Sequence, residues 1–363
     1  LLTVGTYGLI NRKISQNTYH TYVNAARFGQ AIFYGVCVVD NYVWGVGQPT
    51  GPSNYDQIIS STDAGESWTV QHSVNFANNI MTSIQMLDHL NGYVVGTNSA
   101  GTNGIVLKTN NSGSNWYSLN FPGYGLHNLK FLDMNTGWVM GNAGTLFKTS
   151  NGGDLWFQQT VTGLSANITS MSMINSNTGW IVTSNFFEGR VFKTIDSGEN
   201  WIEQTPLGIR ELFDIQMIDE NTGYICGDAA LKKTTNGGEN WENIINPFPL
   251  AIWYSLKIEN TNDVFLASST VSMRSTNGGS DWTYNYYPVN LSRNVTNCKI
   301  DRLSADTVYA STFGLGIIKY TKSGTIGISN WQNNNPQKFH LFQNYPNPFN
   351  PTTIVKFEVP KQS

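Results

Sequence analysis

Charge is scarce in this chain. Asp, Glu, Lys and Arg make up 12% of its 363 residues, about half the roughly 25% usual in globular domains. The 21 basic and 24 acidic residues nearly cancel, leaving a formal net charge of −3. That balance provides no basic footprint for nucleic acid or an anionic membrane surface. Long apolar runs are missing as well, so no membrane-spanning helix is expected. The three cysteines, Cys37, Cys226 and Cys298, are scattered and odd in number. They read as small buried residues, not as a disulfide framework or a metal site. The five histidines, His20, His72, His89, His127 and His340, stand singly. No Ser-His-Asp order, zinc spacing or phosphate loop accompanies them, and no metal or cofactor is expected.

What the chain does have is repetition. One eight-residue pattern, Ser/Thr-x-Asp/Asn-x-Gly-x-x-Trp, occurs at 61–68, 109–116, 149–156, 194–201, 234–241 and 275–282. Its short acid or amide is Asp63, Asn111, Asn151, Asp196, Asn236 or Asn277; its ring is Trp68, Trp116, Trp156, Trp201, Trp241 or Trp282. Successive tryptophans lie 40 to 48 residues apart, a period that indicates a repeat array. The acid or amide can accept backbone N–H groups of a tight turn. Glycine supplies the positive φ such a hairpin needs. Tryptophan opens the next strand and can lay a large ring over the neighbouring repeat, so the motif reads as a structural staple.

The pattern resembles the Asp-box, or BNR repeat, of sialidases and other β-propellers, where it sits in the turn between the third and fourth strands of a blade. The resemblance implies architecture and no particular reaction. A second motif, an inner strand and an Asn-Thr-Gly hairpin ending on an aromatic, recurs at Trp138, Trp180 and Tyr224, with looser copies at Trp44, Tyr93, Phe265 and Tyr309. The last copy has no Asp-box after it. The expected fold is therefore an all-β, seven-bladed β-propeller, whose last blade takes its fourth strand from residues 19–23. Together the two motifs resemble the photosystem II stability and assembly-factor type of propeller. The arginine-rich surface of that family is not evident here, with seven arginines spread along the chain.

Composition shifts after Gly324. The expected organisation is a leader segment at 1–17, the propeller at 18–324, an Asn/Gln/Ser-rich linker at 325–338 and a separate β segment at 339–363. Within that segment, Gln343-Asn344-Tyr345-Pro346-Asn347-Pro348-Phe349-Asn350-Pro351 closely resembles the start of the C-terminal sorting domain of type IX secretion in Bacteroidetes-like bacteria, here truncated. The resemblance implies the type IX machinery as a partner, with release or attachment at the outer cell surface.

No catalytic signature is strong. With the Asp-box turns on one face, the opposite face carries the loops before each inner strand and between second and third strands. Candidate acids for a glycosidase pair there are Glu188, Glu211 and Asp228, together with Asp56. A sialidase would need an arginine triad; Arg27, Arg190, Arg210, Arg274 and Arg293 exist, but no Arg-Ile-Pro-like opening precedes the first Asp-box. The same face collects Phe121 and Tyr124, Phe186 and Phe187, Trp253 and Tyr254, Tyr286 and Tyr287. Arg210, Glu211, Trp253 and Tyr254 come from adjacent repeats, and they are the expected ligand site for a glycan or protein partner. The expected function is a non-catalytic binding module or scaffold, secreted or at the cell surface. The alternative is a glycan-active hydrolase of the Asp-box group.

Overall fold

Strand follows strand from Ile32 to Tyr286, and side chains in the turns explain why the chain doubles back. Asp133 Oδ1 accepts the N–H groups of Asn135 and Thr136 at 2.7 and 2.8 Å. Asn175, Asp219 and Asn260 repeat the arrangement one unit further on each time. Those backbone donors hold the Asp133 and Asp219 carboxyls below the usual carboxylate range. The computed structural model describes residues 32–48, 56–65, 67–73, 79–98, 100–185, 187–205, 208–268 and 271–286. It also describes strand backbones at 2–4, 10–15, 18–21, 300–304, 307–312, 316–322, 340–341, 345–350, 352–354 and 357–358, with the side chains of Asp301 and Tyr309.

Six antiparallel four-stranded sheets form the blades, at residues 32–73, 79–122, 126–158, 167–203, 212–243 and 253–286. The architecture is an all-β propeller. First strands of consecutive blades touch, so they form the inner ring around the central channel. Each first strand in the blades carries a register shift near its start, which leaves one extra residue: Tyr34, Thr82, His127, Thr169, Phe213 or Tyr254.

The expected seven blades are corrected to six. The strands after residue 300 do not make another four-stranded blade. They belong to a six-stranded sheet ordered Leu2–Val4, Ile10–Ser15, Thr18–Thr21, Gly316–Lys322, Thr307–Thr312, Ile300–Ser304. The sequence accounts for the difference. After Lys322 the turn carries neither the Asp nor the Trp of the repeat, so nothing folds the chain straight back as a fourth strand. Thr18–Thr21 pairs with that edge, where a strand from residues 19–23 is expected, but it brings two more strands with it, and the result is a six-stranded sheet in place of a four-stranded blade. Ile300–Ser304 touches the first strands of blades six and one, and the ring is closed through this end sheet. The proposed linker at 325–338 lies outside the described residues, as does most of 339–363 beyond its short strand backbones.

The eight-residue turns share one geometry, and its hub is the leading hydroxyl. In blade five Thr234 Oγ1 donates to Asn236 Oδ1 (3.0 Å) and accepts from Gly238 N (2.9 Å). Asn236 Oδ1 in turn accepts from Asn240 N at 2.9 Å. The other five turns repeat these three bonds. Two consecutive residues take positive φ, 69° and 90° at Gly237 and Gly238. Glycine is strain-free there, whereas blade four places Ser197 at +66° in the first position.

The staple reading needs an adjustment. Of the six turn tryptophans only Trp241 is fully buried, at 9% exposure; the others are half-buried, each packed against the cluster between its own blade and its neighbour. The deeply buried rings are the second-strand aromatics, with Trp44, Trp138, Trp180, Tyr224 and Tyr309 all at 0%. Cys37 and Cys226 are buried as small core residues, and Cys298 lies outside the described residues.

Thr234→Val should cost about 1–3 kcal/mol, because it strips the partners from a buried amide while preserving shape. Urea unfolding would measure it. A loss below a few tenths of a kcal/mol would show that the hydroxyl is not the hub of the turn.

Candidate functional site

Glu188, Arg210, Glu211 and Asp228 belong to three neighbouring loops of blades four and five. Backbone bonds join those loops. Gly189 N donates to Ile209 O (3.3 Å) and Asp228 N donates to Glu211 O (3.1 Å). A fourth loop, from blade five to blade six, joins through the bridge of Asp228 to Ile252 and through Ala229 N donating to Ala251 O at 3.2 Å. The loops therefore make one continuous surface, joined by backbone bonds.

On that surface the four charged candidates do different things. Arg210 is 71% exposed at its side chain and pairs with Asp228 at 3.2 Å. Glu211 is half-buried and accepts a 2.5 Å bond from the Ser184 hydroxyl of blade four. Glu188 is exposed, and its N–H donates to Asn185 Oδ1 at 2.7 Å. Asp56 is only 3% exposed and accepts from Met81 N, which ties blade one to blade two. It is a structural group, not a candidate acid. Arg190, Arg210 and Arg274 are each matched to a carboxylate, of Glu203, Asp228 and Asp263 respectively. The Glu203 pairing raises the pKa of Arg190, and Arg190 lowers that of Glu203. Arg27 and Arg293 lie outside the described residues.

Trp253 and Tyr254 are a correction. Trp253 is 1% exposed, inside the cluster of Tyr224, Cys226 and Leu266 between blades five and six. Tyr254 is 8% exposed, and its ring centroid is 5.2 Å from that of Phe213, the matching extra residue of blade five. Neither ring offers a face to a ligand. The physical reason is the register shift between Trp253 and Ser255, which turns both rings inward at the start of the strand. Phe121 is likewise buried, Tyr124 packs edge-on against Phe147, and Phe186 and Tyr287 lie outside the described residues.

The surface residues that replace them are Phe187, Leu250 and Ile252, exposed by 84%, 85% and 37%. Phe187 was visible in the sequence. Leu250 and Ile252 were missed, although an apolar residue after Pro247-Phe248-Pro249 is a poor candidate for a strand interior. The site is then a set of exposed apolar side chains from two of these joined loops, with the exposed Arg210 guanidinium on a third. Among the described residues no group of three His, Cys, Asp or Glu could hold a metal ion. No described helix is long and apolar enough to cross a membrane.

Comparisons with known proteins agree with the architecture. Residues 107–193 match the family model described as photosynthesis system II assembly factor YCF48. Among solved structures, YCF48 bound to D1 peptide aligns with a TM-score of 0.63 at 18% identity, covering 82% of this chain and 93% of that one. The WD40 β-propeller domain of Doa1 aligns at 0.64 and 11% identity, covering 82% and 95%. Virginiamycin B lyase from Staphylococcus aureus aligns at 0.62 and 14%, covering 80% and 95%. No curated protein matches the chain in sequence. The propeller resembles the photosystem II assembly factor over part of its length, and at these identities the structural likeness speaks for the fold alone.

Trp253→Ala should destabilise the protein by roughly 3–5 kcal/mol through a core cavity. An unchanged chemical denaturation curve would return Trp253 to the surface.

Proposed function

We propose that the chain is a non-catalytic docking module that holds a protein partner on the loop face of blades four to six. The observation that carries this reading is the strip formed by Phe187, Leu250 and Ile252 beside Arg210. Exposed aromatic and aliphatic side chains next to an arginine are the composition favoured at the centre of protein interfaces. Because backbone bonds join the four loops, little ordering entropy is lost when a partner settles on them. The solved relative described as bound to a peptide is consistent with such a use of the fold. Two further elements rest on the sequence alone. The string from Gln343 to Pro351 supports export by type IX secretion. Release or display at the outer surface then follows.

Selection of a displayed random-peptide library on the purified chain tests the docking face. Peptides enriched on the native protein should bind the double variant Phe187→Asp, Leu250→Asp at least tenfold more weakly, with the melting temperature nearly unchanged. Equal binding by the variant would move the site off this face. A glycan array and a hydrolysis assay run beside it address the alternative. Glycan cleavage abolished by Glu211→Gln or Asp228→Asn would replace the docking reading with the hydrolase.

A further inference from the structure

Around the central channel all but one of the first strands are sewn to the next at one register level, opposite the second-strand aromatics. Met86 N donates to Cys37 Sγ at 3.2 Å, joining blades one and two. Gln85 donates to Phe131 O and accepts from Phe131 N, at 2.9 and 2.8 Å, joining two and three. Met217 N donates to Ser172 Oγ at 2.9 Å, joining four and five. Gln216 donates to Ile258 O and accepts from Ile258 N, at 2.8 Å each, joining five and six. Lys257 pairs with Asp301 at 2.8 Å, and Val38 N donates to the other Asp301 oxygen at 2.6 Å, which closes the ring through the end sheet.

Lys130 occupies the same level in blade three, opposite Trp138. Among the described residues it has no hydrogen-bond or ion-pair partner. A protonated lysine has donors only, so it cannot take the N–H of Met173 as Ser172 takes that of Met217. The charged groups that bear on its ammonium are Lys257, Asp214 and Asp301, from blades five and six and the end sheet. Blade four contributes none. The charged groups within electrostatic reach of the ammonium thus belong to blades across the ring and to the end sheet. Burial pushes its pKa down, helped by Lys257 and opposed by the two acids.

Neither acid is available to it. Asp214 accepts from Ser170 Oγ and Ile215 N on one oxygen, and from Ser255 Oγ and Leu256 N on the other. Asp301 is taken by Lys257 and Val38. What remains is a half-buried lysine whose ammonium has no bonded partner among the described residues. An unpaired buried charge is costly, and an anion that enters the channel removes the cost.

We propose that Lys130 anchors an oxyanion site in the central channel, taking a carboxylate or phosphate group. The site is separate from the loop-face strip and stands or falls independently of it. The oxyanion can be a free ion or a carboxylate on a segment of a bound partner.

Isothermal titration of the full chain in a chloride-only buffer separates these sources. The probes are inorganic phosphate, acetate, and a short acetylated Gly-Ala peptide with either a free or an amidated C-terminus. Saturable binding is expected, at least tenfold weaker in Lys130→Gln and Lys130→Met, both checked for native circular dichroism. In probe-free buffer Lys130→Met should match or exceed the native melting temperature, since it removes a desolvated charge that no hydrogen bond or ion pair satisfies. Binding of the free-acid peptide but not its amide assigns the site to a partner's carboxylate. Binding of phosphate and acetate alone assigns it to a free ion. Equal affinity in both variants, or no saturable binding to any probe, overturns the proposal.

Discussion

The structure depends on a contact between one blade's second-strand aromatic and the next blade's eight-residue turn. Tyr93 Oη donates to Gly152 O at 2.8 Å, Trp180 Nε1 to Gly237 O at 3.1 Å, and Tyr224 Oη to Gly278 O at 3.3 Å. Trp138 reaches the next turn through Gln159, whose amide donates to Ser197 O at 2.8 Å. Tyr309 closes the circle with a 2.6 Å bond to Ala64 O in blade one. Each of these five rings is buried with its polar tip satisfied, whereas the buried Trp44 Nε1 of blade one has no hydrogen-bond partner among the described residues. The turn must present its carbonyl in one place, and that is why a hydroxyl, an acid or amide and two positive-φ residues recur together. A third-strand cation completes several of these contacts: Lys148, Lys193 and Lys233 sit 4.8 to 5.4 Å from the rings of Trp138, Trp180 and Tyr224.

A chain so poor in charge holds its centre together with neutral side chains. Serine, asparagine and glutamine bridge the first strands twice, once at the Gln85 level and again where Ser83, Asn128 and Ser170 reach the adjoining blade. Neutral bonds of this kind avoid the desolvation penalty that buried ions incur. Lys130, Asp214, Lys257 and Asp301 are then exceptions concentrated in one small volume. Three of the four are fully engaged, and the fourth is the group left over.

Blade frames and loops answer to different demands. The frame is fixed by packing between sheets, and unrelated functions share it, as the likeness to both a peptide-bound assembly factor and a lyase illustrates. The loop face of blades four to six is set by local backbone pairing among residues 185–189, 209–211 and 228–252. Substitutions at Phe187 or Leu250 change that surface without reaching the core.

Spacing alone determined much of this protein. Six copies of one octet and the Asn-Thr-Gly hairpins dictate an all-β repeat array, because each side chain's hydrogen bonds are made within a few residues of itself. The acceptor role of Asp133 and the glycine requirement at Gly238 are of this local kind. Three things were decided only by tertiary structure. The number of four-stranded blades depended on Leu2–Val4 and Ile10–Ser15, which extend the expected N-terminal strand at the edge of Gly316–Lys322 into a six-stranded sheet. Whether Trp253 faced solvent or the next blade depended on a one-residue register shift that no alternation pattern announces. The isolation of Lys130 depended on what blade four offered across the gap. A sequence specifies which groups can bond, but only the closed ring sets which of them are left without a partner.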